Sequence, residues 1–247
     1  MQDTQVGLYK GRRERPVIAI DGPAGAGKST LAAHLARRFG FMNLETGAMY
    51  RALALKAIEN DLDFDEEEPL LDVAERTRIT LEPQMDGNRV LLDGMDVSRR
   101  VRDADVTAGA SRVSVHPRLR AWMVEQQRAM GAGGGVVMEG RDIGTAVFPD
   151  AEVKIFLDAA PEVRGNRRFR QTPGVAVQME VAALTEEQRS AQEGILREMK
   201  ERDYRDRHRA QSPLEPARDA ILLDSTSMTL EQVLAKAEEI VRAHLPA

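Results

Sequence analysis

The fold is decided by the stretch from Pro16 to Thr30, which reads Pro-Val-Ile-Ala-Ile-Asp-Gly-Pro-Ala-Gly-Ala-Gly-Lys-Ser-Thr. Residues 16–20 are apolar and rich in β-branched side chains, and this pattern predicts a short buried strand. A glycine-rich turn follows, and helix-forming sequence runs from Lys28 to Arg38. The pattern Gly-x-x-x-x-Gly-Lys-Ser between a strand and a helix is typical of a loop that binds nucleotide phosphates.

Each residue type in this loop has a physical role in binding phosphate. Glycines let the backbone curl so that successive N–H groups point at phosphate oxygens, and the helix N-terminus adds the positive end of its dipole. We expect Lys28 to reach the β- and γ-phosphates and the Ser29 hydroxyl to be a ligand of Mg²⁺. Thr30 is expected to cap or pack, with its hydroxyl within reach of the α-phosphate. The predicted cofactor-binding residues are Gly22, Pro23, Ala24, Gly25, Ala26, Gly27, Lys28, Ser29 and Thr30.

The composition around this loop excludes several classes of protein. A chain of 247 residues that is 42% hydrophobic is too apolar for a disordered protein, and its apolar runs are too short to span a membrane. The formal net charge of −5 argues against a general coat for nucleic acid. The sequence contains no cysteine, which excludes disulfides and thiolate metal sites and is typical of cytoplasmic proteins. Of the 35 basic residues 29 are arginine.

The chain opens with alternating strands and helices. A second short strand is predicted at Phe41–Leu44, followed by a helix at Ala48–Asn60 whose buried stripe includes Tyr50. This β-α-β-α order predicts a parallel sheet covered by helices. The remaining elements of this kind are strands at Val136–Met138, Val153–Leu157 and Ile221–Leu223, a helix from Pro117 to the glycine-rich connector Gly131–Gly135, a charged and mostly helical segment Arg164–Met199, and a closing helix Leu230–His244.

A different pattern interrupts this alternation. Three strand-like pieces are separated by Asp86-Gly87 and Asp93-Gly94, and Asp-Gly is a favoured pair for a tight hairpin turn. The pieces are Arg78–Leu81, Arg89–Leu92 and Met95–Val97. They predict a three-stranded antiparallel insert that is too small for a core of its own and packs on the main body. Residues 1–15, which include Arg12, Arg13 and Arg15, predict a flexible tail.

Charged residues follow several of the predicted strands. Arg51 lies about two helical turns beyond the second strand, while Glu139, Arg141 and Asp142 directly follow the third. The carboxyl ends of parallel strands are where open α/β sheets bind ligands. For Arg51 a solvated helix position is an equal alternative, and Arg141 with Asp142 has a structural ion pair as its alternative.

Two further arginine groups lie later in the chain. Arg202, Asp206 and Arg209 share one face if the segment is helical, and this places two guanidinium groups beside a carboxylate. An exposed helix with ordinary ion pairs is an equal alternative for them. A second group, some of whose members must be surface residues, comprises Arg164, Arg167, Arg168 and Arg170. Because the sequence lacks the Asn-Lys-x-Asp motif of GTPases, these features favour phosphoryl transfer to a small molecule.

Six segments of the chain resemble bacterial cytidylate kinases. They are Ile20–Thr30, Glu45–Ala54, Ser111–Arg120, Glu139–Ala159, Lys200–Ala217 and Ile221–Thr226. The resemblance implies an α/β P-loop nucleoside monophosphate kinase fold, with a five-stranded parallel sheet flanked by helices, the three-stranded insert and a mobile helical lid. It divides a single kinase domain, 16–247, into three regions. These are a core of about 16–60, 117–166 and 200–247, a monophosphate-binding region of about 61–116, and a lid of about 167–199.

The resemblance also implies roles for individual residues. Arg51 and Arg141 resemble clamps on the acceptor phosphate, and Thr46 is similar to a hydroxyl residue beside it. Arg202 and Asp206 resemble a pair that faces the sugar. The residues that resemble readers of the cytosine edge are Ser111, Arg120 and Asp142, with Arg209 nearby. The expected catalytic residues are Lys28, Arg141 and Arg202. Two departures from the family pattern are Glu45, where the family usually shows Asp, and the weakly matching residues 173–192.

The implied activity is ATP-dependent phosphorylation of CMP and dCMP, with Mg²⁺, by a cytoplasmic enzyme that is expected to be a monomer without nucleic-acid or membrane partners. Two alternatives remain open at this point. One is a P-loop kinase for another small acceptor, such as UMP or shikimate. The other is a nucleic-acid-binding protein that uses the small sheet and the arginines, although an aromatic content of 4% counts against base stacking.

Overall fold

The computed structural model describes residue 13 and residues 15–84, 87–171 and 184–245. The strands are β1 Val17–Asp21, β2 Met42–Glu45, β3 Ile79–Gln84, β4 Gly87–Leu92, β5 Met95–Asp96, β6 Val136–Gly140, β7 Val153–Asp158 and β8 Ile221–Asp224. The helices are α1 Lys28–Phe39, α2 Thr46–Glu59, α3 Glu67–Glu75, α4 Ala104–Val113, α5 Pro117–Gly131, α6 Pro161–Arg170, α7 Glu186–His208 and α8 Leu230–His244. Short helical turns lie at Arg100–Arg102 and Ile143–Val147. No helix in these ranges is long and apolar enough to cross a membrane.

The main sheet has the order β2-β6-β1-β7-β8, and its paired strands are parallel. β1 lies at the centre, and its five residues are all buried, because helices cover both faces of the sheet. The register pairs Asp21 with Gly140 and Phe156. The carboxyl ends of β1, β6 and β7 therefore meet at one edge of the sheet. This confirms the predicted five-stranded parallel sheet.

Two hydrophobic clusters lie on the opposite faces of this sheet. One joins Ile18 and Ile20 of β1 to α1 and α8, with Leu35 and Val241 among its fully buried members. The other is larger and joins Val17 and further sheet residues to α2, α4, α5 and the insert. Alternate residues of β1 thus face alternate clusters, as the two-residue period of a strand requires. The first cluster fixes α1 and the larger one fixes α2, and both helices begin at the edge of the sheet where these strands end.

The insert is a separate antiparallel sheet of order β3-β4-β5, as predicted. At the second turn, Asp93 and Gly94 both have positive φ, 51° and 85°, which is the backbone form of a type I′ hairpin; Asp86 lies outside the described residues. The insert packs on the main body through Asn88, which accepts from the Glu45 N–H at 2.8 Å and donates to the Asn43 carbonyl at 2.7 Å. Apolar side chains of the insert are also part of the larger hydrophobic cluster, as expected of a sheet too small to form a core of its own.

The start of the described chain includes two arginines of the predicted flexible tail. Arg13 donates to the Asp150 carboxylate at 2.7 Å and its guanidinium lies over the Phe148 ring. Arg15 donates to the Gly40 carbonyl at 2.9 Å. Both guanidinium groups combine a hydrogen bond with stacking on an aromatic ring, since that of Arg15 lies over Phe41. These two residues therefore contact the main body, and the flexible tail over residues 1–15 stays a prediction.

The predictions for the connections after α5 and α6 have different outcomes. The glycine-rich stretch is a connector as predicted, because α5 ends at Gly131 and both Gly134 and Gly135 have positive φ. The charged segment forms two helices, α6 and α7, and the sequence between them, 172–183, lies outside the described residues. The expected lid of about 167–199 includes this stretch, so its boundaries and its mobility stay predictions.

We predict that Asn88→Ala destabilises the protein by about 1–3 kcal/mol, because it leaves two backbone groups of β2 without partners at a buried contact. Chemical denaturation would measure the free energy of unfolding. Asn60→Ala is the matched control, since the Asn60 amide donates only to an exposed carbonyl of its own helix. Equal free energies of unfolding for the two variants would contradict the role of Asn88 in holding the insert against the main sheet.

Candidate active site

The loop after β1 has the backbone conformation that its glycines permit. Gly22, Gly25 and Gly27 have φ of 146°, 75° and 102°, which are values that other residues rarely adopt. A Cβ at Gly22 would lie 1.9 Å from the Leu157 carbonyl oxygen of the neighbouring strand. Only glycine therefore fits there. The loop ends at the N-terminus of α1, so its N–H groups and the positive end of the helix dipole converge on one place.

Lys28 is the first residue of α1 and is almost fully buried. Its ammonium group donates to the Pro23 carbonyl at 2.8 Å, so it folds back over its own loop. Burial, with the positive charge of Arg141 second, lowers the pKa of Lys28 to about 7. The cost of keeping this lysine charged would fall if an anionic phosphate lay beside it.

Ser29 and Glu139 form the most direct contact between the phosphate loop and the neighbouring strand. The Ser29 hydroxyl donates to Glu139 Oε1 at 2.6 Å, and Glu139 lies at the end of β6 beside β1. A hydroxyl and a carboxylate are oxygen ligands of the kind that Mg²⁺ uses together with substrate phosphates. The residues present therefore fit Mg²⁺. The sequence pattern predicted a role for Ser29 and none for Glu139, although the position of Glu139 at the end of a strand next to β1 was a signal.

Asp21, the last residue of β1, is a second buried carboxylate that sequence analysis missed. It accepts hydrogen bonds from the Ile143 N–H at 2.8 Å and the Gly144 N–H at 2.7 Å. Burial raises the pKa of Asp21 to about 6, against the opposing effect of these hydrogen bonds. Asp21 thereby ties the phosphate-loop strand to the segment that carries Arg141 and Asp142.

The predicted phosphate- and sugar-contacting arginines come together beside Lys28. Arg141 donates to Asp206 at 2.9 Å, and burial, followed by the positive charge of Arg141, lowers the pKa of Arg202 to about 10. Arg51 also lowers the pKa of Arg202, so Arg51 lies near Arg202. Burial raises the pKa of Asp206, but the charges of Arg141, Arg202 and Arg209 together hold it below its usual value. Residues that are up to 151 positions apart, Arg51 and Arg202, thus form one positively charged cluster around a carboxylate.

Arg51 and Thr46 connect this cluster to the start of α2. Arg51 donates to Glu45 at 2.5 Å, which shows where the longer Glu45 side chain reaches. The Thr46 hydroxyl donates to the Glu139 carbonyl at 2.7 Å. Both residues lie in the first two turns of α2, next to the carboxyl end of β6. The solvated alternative for Arg51 is therefore wrong, because its guanidinium is paired and part-buried.

A second polar cluster lies deeper, around Asp142. Arg120 is fully buried, pairs with the Asp142 carboxylate, and donates to the Ser114 carbonyl at 3.0 Å. Arg209 follows the last residue of α7 and approaches Asp142 to 3.9 Å. Ser111, in α4, is buried and its hydroxyl has no partner among the described residues. The structure thus brings Arg120, Asp142 and Arg209 together, and Ser111 is linked to Arg120 through Ser114, whose hydroxyl donates to the Ser111 carbonyl.

The arginines of α6 divide into two groups. Arg164 is buried, donates to the Ala24 carbonyl at 2.9 Å, and pairs with Asp203 at 2.6 Å. Arg167 donates to the Ala26 carbonyl at 3.2 Å. Both hold the backbone of the phosphate loop, whereas Arg168 and Arg170 are exposed. Thr30 is also exposed, on the outer face of α1.

A phosphate loop at the end of a central parallel strand, facing a cluster of arginines, defines this fold and site as those of a P-loop kinase. The chain belongs to the cytidylate kinase family, because the family model described as "Cytidylate kinase" matches residues 18–243. It is 42% identical over 230 residues to the cytidylate kinase of Vibrio cholerae, with 93% of this chain and 97% of that protein covered. It is 47% identical over 220 residues to the cytidylate kinase of Pelotomaculum thermopropionicum, with 89% and 92% covered.

The lowered pKa of Lys28 predicts proton uptake when a triphosphate binds. At pH 8 about nine-tenths of a lysine with a pKa of about 7 is neutral, and a bound polyphosphate favours the charged form. We expect uptake of close to one proton at pH 8 and about a tenth of that at pH 6. Calorimetry of a non-hydrolysable ATP analogue, in buffers of different ionisation enthalpy, measures this uptake.

Lys28→Met is the control for this experiment, because it keeps a chain of similar length and removes the titrating group. The difference between the two proteins cancels the protonation of the nucleotide itself. Equal uptake by both proteins at pH 8 would show that Lys28 is already charged before the nucleotide binds.

Proposed function

We propose that this protein transfers the γ-phosphoryl group of ATP to CMP and dCMP, with Mg²⁺ as the metal ion. The observation that carries this proposal is the proximity of two binding regions, since Ser29 of the phosphate loop and Thr46 of the acceptor side both donate to Glu139. Lys28 of the phosphate loop lies close enough to Arg141 and Arg202 for both arginines to lower its pKa. A donor phosphate on the loop and an acceptor phosphate on the arginines would therefore lie next to each other. Membership of the cytidylate kinase family supports CMP as the acceptor.

On the donor side, the loop glycines and the N-terminus of α1 bind the phosphates through backbone N–H groups. Lys28 moves from the Pro23 carbonyl to the phosphate oxygens and supplies positive charge there. Ser29 and Glu139 would hold Mg²⁺, which supplies charge neutralisation between the phosphates when it is bound. Arg164 and Arg167 keep the loop in shape by binding its carbonyls, so they act without touching the phosphates.

On the acceptor side, Arg51 and Arg141 bind the phosphate of the monophosphate, and Arg202 with Asp206 faces its sugar. A phosphate oxygen is already anionic at neutral pH, so the attack on the γ-phosphoryl group needs no strong general base. Catalysis then consists of holding the two phosphates in line and neutralising charge that spreads over the transferred group. Asp206 offsets the mutual repulsion of the arginines before the substrate arrives.

The cluster around Asp142 is suited to reading a pyrimidine. Arg120 and Arg209 are hydrogen-bond donors only, whereas the Asp142 carboxylate is an acceptor. Cytosine presents both kinds of group along one edge, and a base with the wrong pattern would leave a buried charge unpaired. We place the lid at about 167–199, where its closure would exclude water from the two phosphates.

A coupled assay of ADP release across CMP, dCMP, UMP, AMP and shikimate tests the proposed function. We expect kcat/KM for CMP and dCMP to exceed that for AMP and shikimate by at least about 10-fold, equivalent to about 1.4 kcal/mol of discrimination. Lys28→Met should have a kcat lower by about 100-fold or more. Its residual rate measures the background turnover of the assay. The proposal is wrong if CMP and dCMP are no better than the other acceptors. Binding of RNA without any phosphorylation of CMP would favour the nucleic-acid alternative.

Asp206→Asn and Arg202→Ala should weaken the binding of CMP with little effect on ATP. Loss of a buried charged contact costs about 1.5–3 kcal/mol, so KM for CMP should rise about 10- to 150-fold. KM for ATP should change less than about 3-fold. Arg207→Ala removes an exposed arginine of the same helix and is the control. Equal rises in KM for CMP and KM for ATP would show that Arg202 and Asp206 do not belong to the acceptor half of the site.

A further inference from the structure

Several buried polar atoms without hydrogen-bond partners belong to residues in or next to the cluster around Asp142. Among the described residues, the side-chain atoms of this kind include Tyr50 Oη, Ser111 Oγ, Arg120 Nε and Arg209 Nη2. Each unpaired buried polar group costs about 1–3 kcal/mol, so several of them in one place are expensive unless a ligand pairs with them. Three of the four belong to residues already assigned to the base. Tyr50 is the fourth, and neither the sequence analysis nor the proposed function uses it.

Tyr50 lies in the first half of α2 and has two different surroundings. Its ring packs against the larger hydrophobic cluster, as its place on the apolar stripe of the helix predicts. The guanidinium carbon of Arg120 lies over the ring, 5.6 Å from its centre. The hydroxyl, in contrast, is buried without a hydrogen-bond partner among the described residues, and the charges of Arg120, Asp142, Arg209 and Asp206 all act on its pKa. A tyrosine with an apolar body and a polar tip is suited to such a boundary.

The surroundings of the hydroxyl also determine its protonation state. Burial raises the pKa of Tyr50 to about 12, so the phenol stays neutral at physiological pH. A neutral phenol both donates and accepts a hydrogen bond. The two arginines beside it can only donate and the two carboxylates can only accept. The Tyr50 hydroxyl, like that of Ser111, can therefore adapt to whichever atom of a base lies next to it.

We propose that Tyr50 is a specificity-determining residue whose hydroxyl hydrogen-bonds the pyrimidine edge of the acceptor nucleotide. This inference rests on the proposed function, because the base in question is that of the proposed acceptor. The ring of Tyr50 supports Arg120 from one side, and the hydroxyl completes the set of groups around Asp142. A sequence that placed phenylalanine here would keep the packing and lose the contact.

Tyr50→Phe tests the inference, because it removes one oxygen atom and keeps the ring under Arg120. A single neutral hydrogen bond accounts for about 3- to 10-fold in affinity. We expect KM for CMP to rise by this factor at saturating ATP, with kcat and KM for ATP changed less than about 2-fold. We also expect a Tm at least equal to that of the wild type, because the substitution removes a buried unpaired group. Tyr204→Phe is the matched control, since Tyr204 is 65% exposed.

Three results separate the possible failures. A KM for CMP equal to that of the wild type, with a raised Tm, would overturn the inference and make the hydroxyl purely structural. Equal rises in KM for CMP and ATP would also overturn it. If the wild type turns over another monophosphate and not CMP, the proposed function fails. In that case KM for the accepted monophosphate, measured on Tyr50→Phe, still tests the role of the hydroxyl.

Discussion

The whole site depends on the burial of arginine charge beside carboxylates. Three buried or part-buried pairs carry this arrangement: Arg120 with Asp142, Arg141 with Asp206, and Arg164 with Asp203. An unpaired buried charge is strongly unfavourable, whereas a paired one with further hydrogen bonds is tolerated. Because each partner comes from a different element, the pairs also fix how α5, α6 and α7 sit against the sheet. The chain can therefore be acidic overall, with a net charge of −5, and still hold a strongly positive cleft.

This pairing also prepares the cleft for its ligands. The lowered pKa values of Lys28 and Arg202 have the same first cause, burial, and the same second cause, the charge of Arg141. The free protein is thus short of negative charge at the place where the two phosphates are proposed to meet. Groups that are already oriented need little rearrangement during the reaction, and such preorganisation is a large term in phosphoryl transfer.

Two contacts join the donor and acceptor halves into one unit. Asp21 holds the segment that carries Arg141 and Asp142 against the loop strand, and Arg164 links the loop carbonyl of Ala24 to α7 through Asp203. The position of the phosphate loop is therefore coupled to the helix that bears Arg202 and Asp206. Substitutions at Asp21 or Arg164 would act on geometry even though neither residue is proposed to touch a substrate.

Local patterns in the sequence determined much of this protein. A strand, a glycine-rich turn and a helix predicted the phosphate loop, Asp-Gly pairs predicted the insert, and strand ends pointed to Arg141 and Asp142. These features depend on periodicity and turn chemistry, which act over a few residues. The tertiary structure decided what each charged or polar group pairs with. It separated Arg164 and Arg167, which hold the loop, from the exposed Arg168 and Arg170.

The tertiary structure also brought Glu139 within hydrogen-bond distance of Ser29 and exposed the Tyr50 hydroxyl to the charges of four other side chains. Such pairs join residues tens of positions apart, so only the packing of helices on the sheet sets them.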